Sequence, residues 1–563
     1  MLYTQYTGRD FASMADFTDN FRLDVPESFN FAYDVVGRYA RDERDRVALV
    51  WCDDQEAERR FTFSDLAAAS DKTANFLVSR GIRKGDAVLL MLKRRYEFWY
   101  FLLALHKIGA IAVPATHLLR EADIEYRNRA ASVKMIVAVS DRDLLARVDA
   151  VRQASPSVER YVQVASAGAP RPGWDDFDEG YEAAEAGFAR PAGDSAPTLR
   201  DISLIYFTSG TTAHPKMVQH DFAYPLGHIV TAKYWQRVAD GGLHLTLADT
   251  GWAKAMWGKI YGQWLSGCAV FAYDLESFQP KRLLDRMAKY RVTSFCAPPT
   301  VYRYLIREDI SKYDLSALTH CSVAGEPLNP EIYDRWLQMT GIKLFEGYGQ
   351  TELTLTIGTF PWMEPKPGSM GVPAPGYDID IIRPDGSPCA TGETGEIVIR
   401  LGPGGAETGR PFGMFAGYYR DAELTERVFE GGVYHTGDTA WRDEDGYFWF
   451  VGRTDDMIKS SGYRIGPFEV ESALMTHPAV LECAVTGVRD DKRGQIVKAS
   501  VILAPTHEPS DALARELQDH VKKETAPYKY PRIVEFVKEL PKTISGKIRR
   551  VEIRETAKQN APA

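Results

Sequence analysis

The sequence predicts an α/β protein with a large N-terminal domain, residues 1–454, and a smaller, mobile C-terminal α/β domain, residues 455–563. Short apolar runs typical of buried strands alternate with helical patterns, first over residues 60–150 and again after residue 243, which favours two α/β sheets. From about residue 378 the pattern changes to short strands and turns, as in a small β-rich subdomain. With 563 residues, 45% of them hydrophobic, the chain can form several packed units.

The first α/β unit is predicted from residues 60–150. A helix begins with Ser64 as its N-cap and ends at Gly81. Residues 86–92, DAVLLML, form a buried strand, and FWYFLLALHKIGA is a core helix that ends near Gly109. AIAVPA and MIVAVSD are further strands, and strands separated by helices of this length indicate a parallel sheet.

Residues 206–216, YFTSGTTAHPK, follow a short apolar strand and form the first candidate site. Gly210 lets the backbone turn, successive amides in such a turn bind anions, and Lys216 adds a positive charge. Hydroxyl groups come from Thr208, Ser209, Thr211 and Thr212. This chemistry suits a polyphosphate, although the Walker sequence G-x-x-x-x-G-K-[ST] does not occur and an ordinary turn remains an alternative from these residues alone.

A second α/β unit follows the loop. LHLTLA is a strand, residues 251–266 form a tryptophan-rich helix, and CAVFAYD is another strand. HCSVAGEPL and KLFEGYGQTE are each an apolar strand that ends in a polar turn containing glycine. Because ligands of α/β sheets bind outside the carboxyl ends of the strands, we expect these two turns to meet the loop at residues 206–216 over one crevice.

The last part of the chain has a different pattern of predicted secondary structure. A hairpin is indicated by Asp385–Gly386 in the β-rich subdomain. Beyond Arg453 a compact unit of about 110 residues begins, which is enough for an independent domain. We place its boundary at Asp455.

Composition and charge exclude several classes of function. The net charge of −9 does not favour a nucleic-acid-binding surface. Six scattered cysteines without C-x-x-C spacing argue against a metal cage or a disulfide framework and favour a reducing compartment. The N-terminus resembles neither a secretory nor a transit peptide, and no apolar run is long enough to span a membrane, so we expect a cytoplasmic location. H-E-x-x-H, G-x-S-x-G and G-x-G-x-x-G are absent.

Six stretches occur in the order and spacing of one enzyme superfamily: YFTSGTTAHPK, AGEPL, GYGQTE, YHTGD, GRTDDMIKSSGYRIGPFEVE and PKTISGKIRR. On these motifs the chain is identified as a member of the acyl-adenylate-forming superfamily, and within it resembles a medium-chain acyl-CoA synthetase over residues 30–555. The resemblance implies that a carboxylic acid reacts with ATP and Mg²⁺ to give acyl-AMP and pyrophosphate, and that CoA then takes the acyl group and releases AMP.

The resemblance also implies an ATP site. Its residues would be Thr208, Ser209, Gly210, Thr211, Thr212, Lys216, Gly325, Glu326, Pro327, Glu346, Gly347, Tyr348, Gly349, Gln350, Thr351, Asp438, Arg453 and Lys547. In these positions Tyr348 would stack on adenine, and Asp438 and Arg453 would bind the ribose. Glu352 would be the Mg²⁺ ligand, which fits the preference of Mg²⁺ for one or two carboxylates together with phosphate oxygens and water.

Three further roles follow from the resemblance. Lys547 would be delivered by the C-terminal domain to the adenylation centre, where its ammonium can bridge the carboxylate and the α-phosphate. Asp455 would be the hinge on which this domain rotates. The CoA contacts would be Ser461, Gly462, Tyr463, Arg464 and Arg493.

The acyl pocket is predicted in residues 251–266, GWAKAMWGKIYGQWLS. Helical spacing places Lys254, Trp257 and Tyr261 on one face, together with Trp264. The pocket residues would be Trp252, Lys254, Trp257 and Tyr261, with Lys254 or Lys259 near the carboxylate. Large indoles leave little room for a chain, so a short, branched or small aromatic acid is favoured. A core stripe with a lysine at its edge is the alternative.

Other functions of this superfamily remain alternatives. A stand-alone enzyme that loads a carrier protein would use the same motifs, and so would a luciferase-like oxygenase. A non-catalytic nucleotide sensor would be expected to lose catalytic residues, yet Lys216, Glu352 and Asp438 are present, as are Arg453 and Lys547. The expected partners are a small carboxylic acid, ATP and CoA, and the sequence is also compatible with a homo-oligomer.

Overall fold

The computed structural model describes residues 1–166, 168, 170–208, 214–490, 492–542 and 548–559. It has the expected α/β class, with a large N-terminal domain and a smaller C-terminal one. The N-terminal domain contains two mainly parallel sheets and an antiparallel sheet, and the C-terminal domain contains one mixed sheet.

The first sheet has seven strands. In spatial order they are Asp175–Asp176, Arg160–Val164, Val133–Val139, Ala87–Met91, Ile111–Pro114, Ile202–Thr208 and Lys216–Asp221. All neighbouring strands are parallel except the last two, which form an antiparallel hairpin. The candidate phosphate loop connects these last two strands.

The second sheet has nine strands. In spatial order they are Val372–Pro373, Ile357–Gly358, Leu344–Tyr348, His320–Ala324, Ser294–Ala297, Leu243–Thr246, Ala269–Asp274, Val47–Asp53 and Glu58–Thr62. Its central strands are parallel and both edges are antiparallel. The early strand Val47–Asp53 therefore belongs to the later sheet, where it pairs with Ala269–Asp274.

Two smaller sheets follow along the chain. The antiparallel one consists of Asp378–Ile382, Gly395–Arg400, Val433–Arg442 and Phe448–Arg453. The C-terminal one consists of Tyr463–Ile465, Ile458–Ser460, Gly494–Leu503, Val480–Asp490 and Ile533–Phe536. The change of sheet lies between residues 453 and 458, around the predicted boundary at Asp455.

Helices cover the sheets. In the N-terminal domain they are Thr4–Thr7, Met14–Asn20, Ala32–Val36, Gly37–Asp42, Phe63–Ser79, Glu97–Ile108, Glu121–Ala130, Arg142–Ala150, Phe177–Ala183, Tyr224–Ile229, Val230–Trp235, Lys254–Gly258, Tyr261–Leu265, Pro280–Lys289, Pro299–Leu305, Pro330–Thr340, Gly405–Thr408 and Ala422–Val428. In the C-terminal domain they are Pro467–Met475, Asp511–Glu524 and Arg550–Gln559. Short 3₁₀ turns occur at Gly193–Ser195, Ile310–Lys312, Glu430–Gly432 and Pro527–Lys529.

Helix Phe63–Ser79 begins two residues earlier than predicted. Its N-cap is Thr62, not Ser64, because the Thr62 hydroxyl accepts a hydrogen bond from the backbone N–H of Asp65 at 3.1 Å. The Asp65 carboxylate in turn accepts from the backbone N–H of Thr62 at 2.8 Å. This reciprocal capping box satisfies two N–H groups that lack partners inside the helix.

Helix Glu97–Ile108 lies in the core between the two large sheets. Every residue of the helix is buried, as its nearly uninterrupted apolar sequence requires. Its one carboxylate, Glu97, is paired with Arg95 at 2.6 Å. The indole N–H of Trp99 donates to the carbonyl of Lys259 at 2.7 Å, which ties this helix to the segment predicted to form the acyl pocket.

The prediction of a single helix over residues 251–266 is wrong. Two short helices, Lys254–Gly258 and Tyr261–Leu265, are separated at Ile260, whose φ of −162° and ψ of −72° are not helical. Gly258 at the break packs against the Thr246 hydroxyl with no space for a Cβ, which fixes the turn there. The predicted single face that joins Lys254 and Trp257 to Tyr261 therefore does not exist.

The turn at Gly251 joins the two large sheets where their strands end. A Cβ added at Gly251 would lie closer than 3.0 Å to backbone atoms of Ala115 and Thr116, which follow strand Ile111–Pro114. Backbone cannot move aside as a flexible side chain can. The close approach of the sheets therefore depends on a glycine at this position.

We expect Gly251→Ala to lower the free energy of unfolding by about 1–3 kcal/mol through overpacking. Gly37→Ala is the matched control, since Gly37 lies in helix Gly37–Asp42 and its added Cβ would meet no atom closer than 3.4 Å. Thermal and urea unfolding of the full chain measure both variants. Equal stability of the two variants would contradict this account of the sheet contact.

Candidate active site

Asp438 is the point at which several predicted motifs meet. Its strand, Val433–Arg442, pairs with Phe448–Arg453 so that Asp438 lies opposite Arg453. The carboxylate accepts from the Tyr348 hydroxyl at 2.6 Å and from the Gln350 amide at 2.6 Å, and the Arg453 guanidinium lies 3.3 Å away. The structure therefore joins the GYGQTE, YHTGD and GRTDD motifs around one buried carboxylate.

Tyr348 is held by this contact. Burial, with the Asp438 charge beside it, raises the pKa of Tyr348 well above its usual value, so the phenol remains a hydrogen-bond donor. Because the hydroxyl is anchored on Asp438, the ring has little freedom to turn. A fixed ring is suited to stacking on a flat apolar ligand.

Gln350 was predicted only as a nucleotide contact, and the structure gives its side chain three partners. Its amide N–H groups donate to the carbonyl of Thr436 at 2.9 Å and to Asp438, and its oxygen accepts from the Tyr434 hydroxyl at 2.8 Å. Gln350 thus fixes the turn after strand Leu344–Tyr348 onto the small antiparallel sheet. The sequence analysis missed Tyr434, although it begins the YHTGD motif.

The Glu352 carboxylate and the Lys216 ammonium are two charged groups that both lie close to Tyr418. The Glu352 carboxylate is buried and accepts from the Tyr418 hydroxyl at 2.8 Å. Burial raises the pKa of Glu352, an effect that the Tyr418 hydrogen bond and the charge of Lys216 oppose. The Lys216 ammonium lies 5.2 Å from the centre of the Tyr418 ring, and burial lowers its pKa while the Glu352 charge opposes that shift.

Tyr418 therefore links the predicted metal ligand to the predicted phosphate ligand. The sequence analysis missed it because its stretch, GMFAGYYR, belongs to none of the six motifs. With one oxygen of Glu352 engaged by Tyr418, the other can reach a cation, so a single buried carboxylate beside a phosphate loop fits Mg²⁺ held mainly by phosphate oxygens and water. No cluster of three or more His, Cys, Asp or Glu side chains that could hold a metal occurs in the described part of the chain.

The phosphate loop itself is only partly described. Thr208 pairs with Lys216 across the hairpin. Ser209, Gly210, Thr211 and Thr212 lie outside the described residues, as does Lys547. His220, on the strand after the loop, makes a 2.8 Å hydrogen bond between its Nε2 and the carbonyl of Thr351, so this strand is in direct contact with the GYGQTE turn.

The AGEPL turn, with Gly325, Glu326 and Pro327, follows strand His320–Ala324. Gly325 adopts a φ of +108°, which strongly favours glycine. The Lys254 ammonium donates to the carbonyl of Ala324, and a Cβ built on Gly325 would lie 3.6 Å from its nitrogen. Lys254 thus brings a positive charge to this turn, at the carboxyl end of the central strands.

Glu346 fixes the far side of the same turn. Its two carboxylate oxygens accept from the backbone N–H groups of Leu328 at 3.0 Å and Gly368 at 2.8 Å. Burial raises the pKa of Glu346 to about 8, although the two backbone hydrogen bonds favour its charged form. The side chain is thus a positioning group for the turn, and a direct contact of Glu346 with the nucleotide stays a prediction.

Two glycines of the GYGQTE motif pack against tryptophans. A Cβ added at Gly349 would lie 2.5 Å from the outer edge of the Trp257 indole, and one added at Gly347 would lie 2.6 Å from Trp235. The two indoles meet edge to face with their centres 6.0 Å apart. Trp257, which was predicted as a pocket residue, thus lies against the turn that carries Tyr348. The sequence analysis missed Trp235, which is more than 100 residues earlier in the chain.

Tyr261 does not share this arrangement. Its side chain is buried in the core, where its hydroxyl and His106 Nε2 are 3.0 Å apart and the rings stack. Tyr261 lies beyond the helix break at Ile260, and its role as a pocket residue stays a prediction. Lys259 is buried at the break, and burial lowers its pKa to about 7. Trp252 remains partly buried at the start of the segment.

The predicted CoA residues lie on a hairpin of the C-terminal domain. Ser461 and Gly462 form the turn between Ile458–Ser460 and Tyr463–Ile465, both with positive φ, so the backbone geometry alone favours glycine at position 462. The Ser461 N–H donates to the carbonyl of Arg493 at 2.9 Å, which brings Arg493 beside the hairpin. The exposed Tyr463 ring stacks on Tyr528 at 4.1 Å. Arg464 is also exposed. Contact of these residues with CoA stays a prediction.

Asp455, the predicted hinge, is partly exposed and lies 3.6 Å from the Arg453 guanidinium. It lies two residues after Arg453, the residue that pairs with Asp438. Within the described part of the chain, no helix combines the length and apolar character needed to cross a membrane.

Comparison with known proteins places this geometry in a family. The family model described as AMP-binding enzyme matches residues 36–419, and that of the AMP-binding enzyme C-terminal domain matches residues 469–547. Mitochondrial acyl-coenzyme A synthetase ACSM3 of Mus musculus is 39% identical over 98% of this chain and 95% of its own length. The human mitochondrial acyl-coenzyme A synthetase ACSM5 is 41% identical over 94% of this chain and 91% of its own length.

Solved structures agree. The anthranilate CoA ligase AuaEII in complex with anthranoyl-AMP superposes with a TM-score of 0.86 at 29% identity, covering 95% of this chain and 98% of that one. An acyl-CoA synthetase of Brucella canis superposes with a TM-score of 0.73 at 32% identity, covering 97% of this chain and 99% of that one.

The buried carboxylate of Glu346 gives a test of how the AGEPL turn is held. We expect Glu346→Gln to raise the KM for ATP several-fold and to lower the free energy of unfolding by about 1–3 kcal/mol, because an amide can accept only one of the two backbone hydrogen bonds. Steady-state kinetics and urea unfolding measure the two effects.

Glu364→Gln is the control for this variant, since Glu364 is an exposed carboxylate that pairs with Lys343 on the surface. Unchanged KM for ATP and unchanged stability in Glu346→Gln would show that the two backbone hydrogen bonds do not hold the turn.

Proposed function

The chain belongs to the AMP-binding enzyme family and is an ATP-dependent acyl-CoA synthetase of the AMP-forming type, and from this premise we propose that it activates a short, branched or small aromatic acid. The observation that carries this proposal is the packing of Trp257 against Gly349. An indole beside the turn that follows Tyr348 limits the space for an acyl chain. A smaller side chain at position 257 would leave room for a longer one.

In the first half-reaction, a carboxylate oxygen of the acid attacks the α-phosphorus of ATP and pyrophosphate leaves. We propose that Lys254 draws the carboxylate of the acid toward the AGEPL turn, because its ammonium already reaches the carbonyl of Ala324 there. Thr208, Lys216 and the loop between them would hold the β- and γ-phosphates. Because the positive charges of Lys254 and Lys216 would already be in place, they would need no reorganisation when negative charge develops in the transition state.

The nucleotide would be bound through the Asp438 cluster. Asp438 is a buried acceptor and Arg453 a donor, so that together they match the two hydroxyl groups of a ribose. Tyr348, anchored by its hydroxyl, would offer a ring face to adenine. Glu352 would hold Mg²⁺, which neutralises charge on the phosphates when bound.

In the second half-reaction, the thiol sulfur of CoA attacks the acyl carbon and AMP leaves. We propose that rotation about Asp455 replaces Lys547 by the hairpin at Ser461–Tyr463, so that one cleft serves two reactions in turn. Asp455 lies two residues after Arg453, and its carboxylate is 3.6 Å from the Arg453 guanidinium, next to the Asp438 cluster, which supports this assignment.

A cytoplasmic location is also a proposal. All six cysteines are buried and free, which agrees with a reducing compartment. Because the relatives are named as mitochondrial, the mitochondrion is the competing location. A homo-oligomer is proposed as well, and light scattering of the purified chain would measure its mass.

Lys547→Ala should separate the two half-reactions. We expect wild-type enzyme to return labelled pyrophosphate to ATP in the presence of acid, and to release AMP with CoA but not with a phosphopantetheinylated carrier protein. In Lys547→Ala, acyl-AMP formation should fall by roughly 100-fold or more, because the ammonium that offsets the repulsion of two anions is lost. Thioester formation from supplied acyl-AMP should be retained.

Equal loss of both half-reactions in Lys547→Ala would contradict its assignment. Absence of pyrophosphate exchange in the wild type with all acids from C2 to C12, branched and aromatic, would contradict the proposed activity as a whole. AMP release with carrier protein in place of CoA would favour the carrier-loading alternative.

Trp257→Leu should move the preference of the enzyme to longer acids. The smaller side chain frees space, and each added methylene that can be buried changes kcat/KM by roughly tenfold or more. The ratio of kcat/KM for octanoate to that for butyrate is therefore expected to rise by at least this factor, as measured by AMP release.

Trp441→Leu is the matched control, since Trp441 stacks on Trp449 in the small antiparallel sheet with ring centres 5.4 Å apart. An unchanged ratio in Trp257→Leu would remove Trp257 from the acyl pocket.

A further inference from the structure

Four charged side chains of the C-terminal domain form a connected group that no role in the reaction has yet explained. We call Asp456, Glu471, Arg550 and Arg554 the tail clamp. They come from the hinge side of the domain, from helix Pro467–Met475 and from the last helix, Arg550–Gln559. The clamp therefore joins the beginning of the domain to its end.

Glu471 and Arg550 are the centre of the tail clamp. Two nitrogens of the Arg550 guanidinium donate to Glu471: Nη2 to Oε2 at 2.7 Å and to Oε1 at 2.8 Å, and Nε to Oε1 at 3.2 Å. It also accepts from the backbone N–H of Val485 at 2.7 Å, so this buried carboxylate is well satisfied. Such two-pronged geometry fixes direction as well as distance.

Asp456 attaches this pair to the hinge. Its carboxylate makes an ion pair with Arg554 and lies 4.0 Å from Arg550. Its backbone N–H donates to the carbonyl of Arg453 at 3.1 Å. Since Arg453 pairs with Asp438, a chain of contacts runs from the Asp438 cluster through the hinge turn to the last helix.

Arg550 is also close in sequence to Lys547. The segment that contains Lys547 lies outside the described residues, but its two ends are joined: Lys542 bridges to Ile548, and the Arg549 N–H donates to the carbonyl of Pro541 at 2.8 Å. Lys542 is further paired with Glu482 at 2.8 Å. Arg550, the first residue of helix Arg550–Gln559, comes directly after these joined ends, so the clamp holds the chain at that point.

Charge balance supports a specific role for the arginine. Burial is the largest single effect and works against the Arg550 charge, but the attraction and hydrogen bonding of Glu471, together with the charge of Asp456, outweigh it and raise the pKa of Arg550. Buried ion pairs add little to stability compared with apolar packing, but removal of one partner leaves the other charge without compensation. The main effect of the tail clamp is therefore to fix the relative positions of its four side chains, and its contribution to the stability of the domain is small.

We propose that Arg550 is a positioning residue for the adenylation half-reaction, and that the tail clamp fixes the base of the Lys547 segment to the hinge turn. The proposal rests on the proposed function of Lys547. Rotation about Asp455 then moves the hinge turn, helix Pro467–Met475 and the start of helix Arg550–Gln559 together, because the clamp joins these three. The lysine would reach the α-phosphate in one orientation each time the domain closes.

Arg550→Gln tests this inference through the two half-reactions. Acyl-AMP formation is expected to fall about 10- to 100-fold, since a misplacement of about 1 Å has effects of this size. Thioester formation from supplied acyl-AMP should stay within about twofold of the wild type, because that step does not use the lysine. Arg550→Lys should recover only part of the loss, since lysine cannot form the two-pronged contact.

A double variant distinguishes positioning from general damage. If Arg550 acts through Lys547, Arg550→Gln should cause no further loss of acyl-AMP formation in the Lys547→Ala background. Arg549→Gln is the matched control, since Arg549 is 56% exposed at its side chain and pairs with Glu552 one turn further on. Asp456→Asn, a milder change in the same clamp, should show the same selective loss if Arg550→Gln does not fold.

The outcomes separate the inference from the function on which it rests. Loss of acyl-AMP formation in Lys547→Ala, but normal rates in Arg550→Gln and Asp456→Asn, would overturn the positioning role alone. Equal loss of both half-reactions in Arg550→Gln, or additive losses in the double variant, would also overturn it. Normal acyl-AMP formation in Lys547→Ala would instead contradict the proposed function.

Discussion

The structure depends on one buried carboxylate, Asp438, and on the donors around it. Tyr348 and Gln350 approach it from the second parallel sheet, and Arg453 approaches from the neighbouring strand of the small antiparallel sheet. A buried charge is costly unless it is paired and hydrogen-bonded, so these donors are required for the fold as well as available to a ligand. Asp438 and its donors therefore connect the ends of two sheets with Arg453, which lies two residues before the proposed hinge at Asp455. The proposed nucleotide site and the proposed hinge therefore lie next to each other.

Close packing of glycine against tryptophan shapes the other half of the cleft. Gly347 and Gly349 leave no space for a Cβ, because the Trp235 and Trp257 indoles lie directly against them. The same turn also carries Tyr348 and Gln350, whose polar groups face the Asp438 cluster. One short segment therefore separates the polar Asp438 cluster, the proposed nucleotide side, from an apolar side. This division suits a reaction that joins an acyl group to a nucleotide.

Charged groups are used differently on the two sides of Asp455. Before it, Lys216, Glu352 and Arg453 are partly compensated, and they can exchange their contacts for those of a ligand. After it, Glu471 and Arg550 satisfy each other almost completely. Lys216, Glu352 and Arg453 are therefore available to bind a ligand, whereas Glu471 and Arg550 hold the C-terminal domain in one geometry. The proposed hinge at Asp455 thus lies between the proposed reaction site and the C-terminal domain that we propose moves.

The α/β class, the two sheets and the chemistry of the nucleotide motifs were predictable from the sequence by itself. Alternation of apolar runs is a local pattern, and hydroxyl, lysine and carboxylate groups at fixed spacing reflect the charge of the ligand. The strand ends at Ala324 and Tyr348 could be expected over one crevice because parallel strands carry their carboxyl ends to one edge.

Only the tertiary structure decided which residues face one another. Tyr418 reaches Glu352, Trp235 packs on Gly347 and Val47–Asp53 joins the later sheet, each across a long stretch of chain. The break at Ile260, which sends Tyr261 into the core, arises because Gly258 is pressed against Thr246. Contacts of this kind depend on how sheets and helices pack, and a local pattern of residue types carries no information about a partner a hundred residues away.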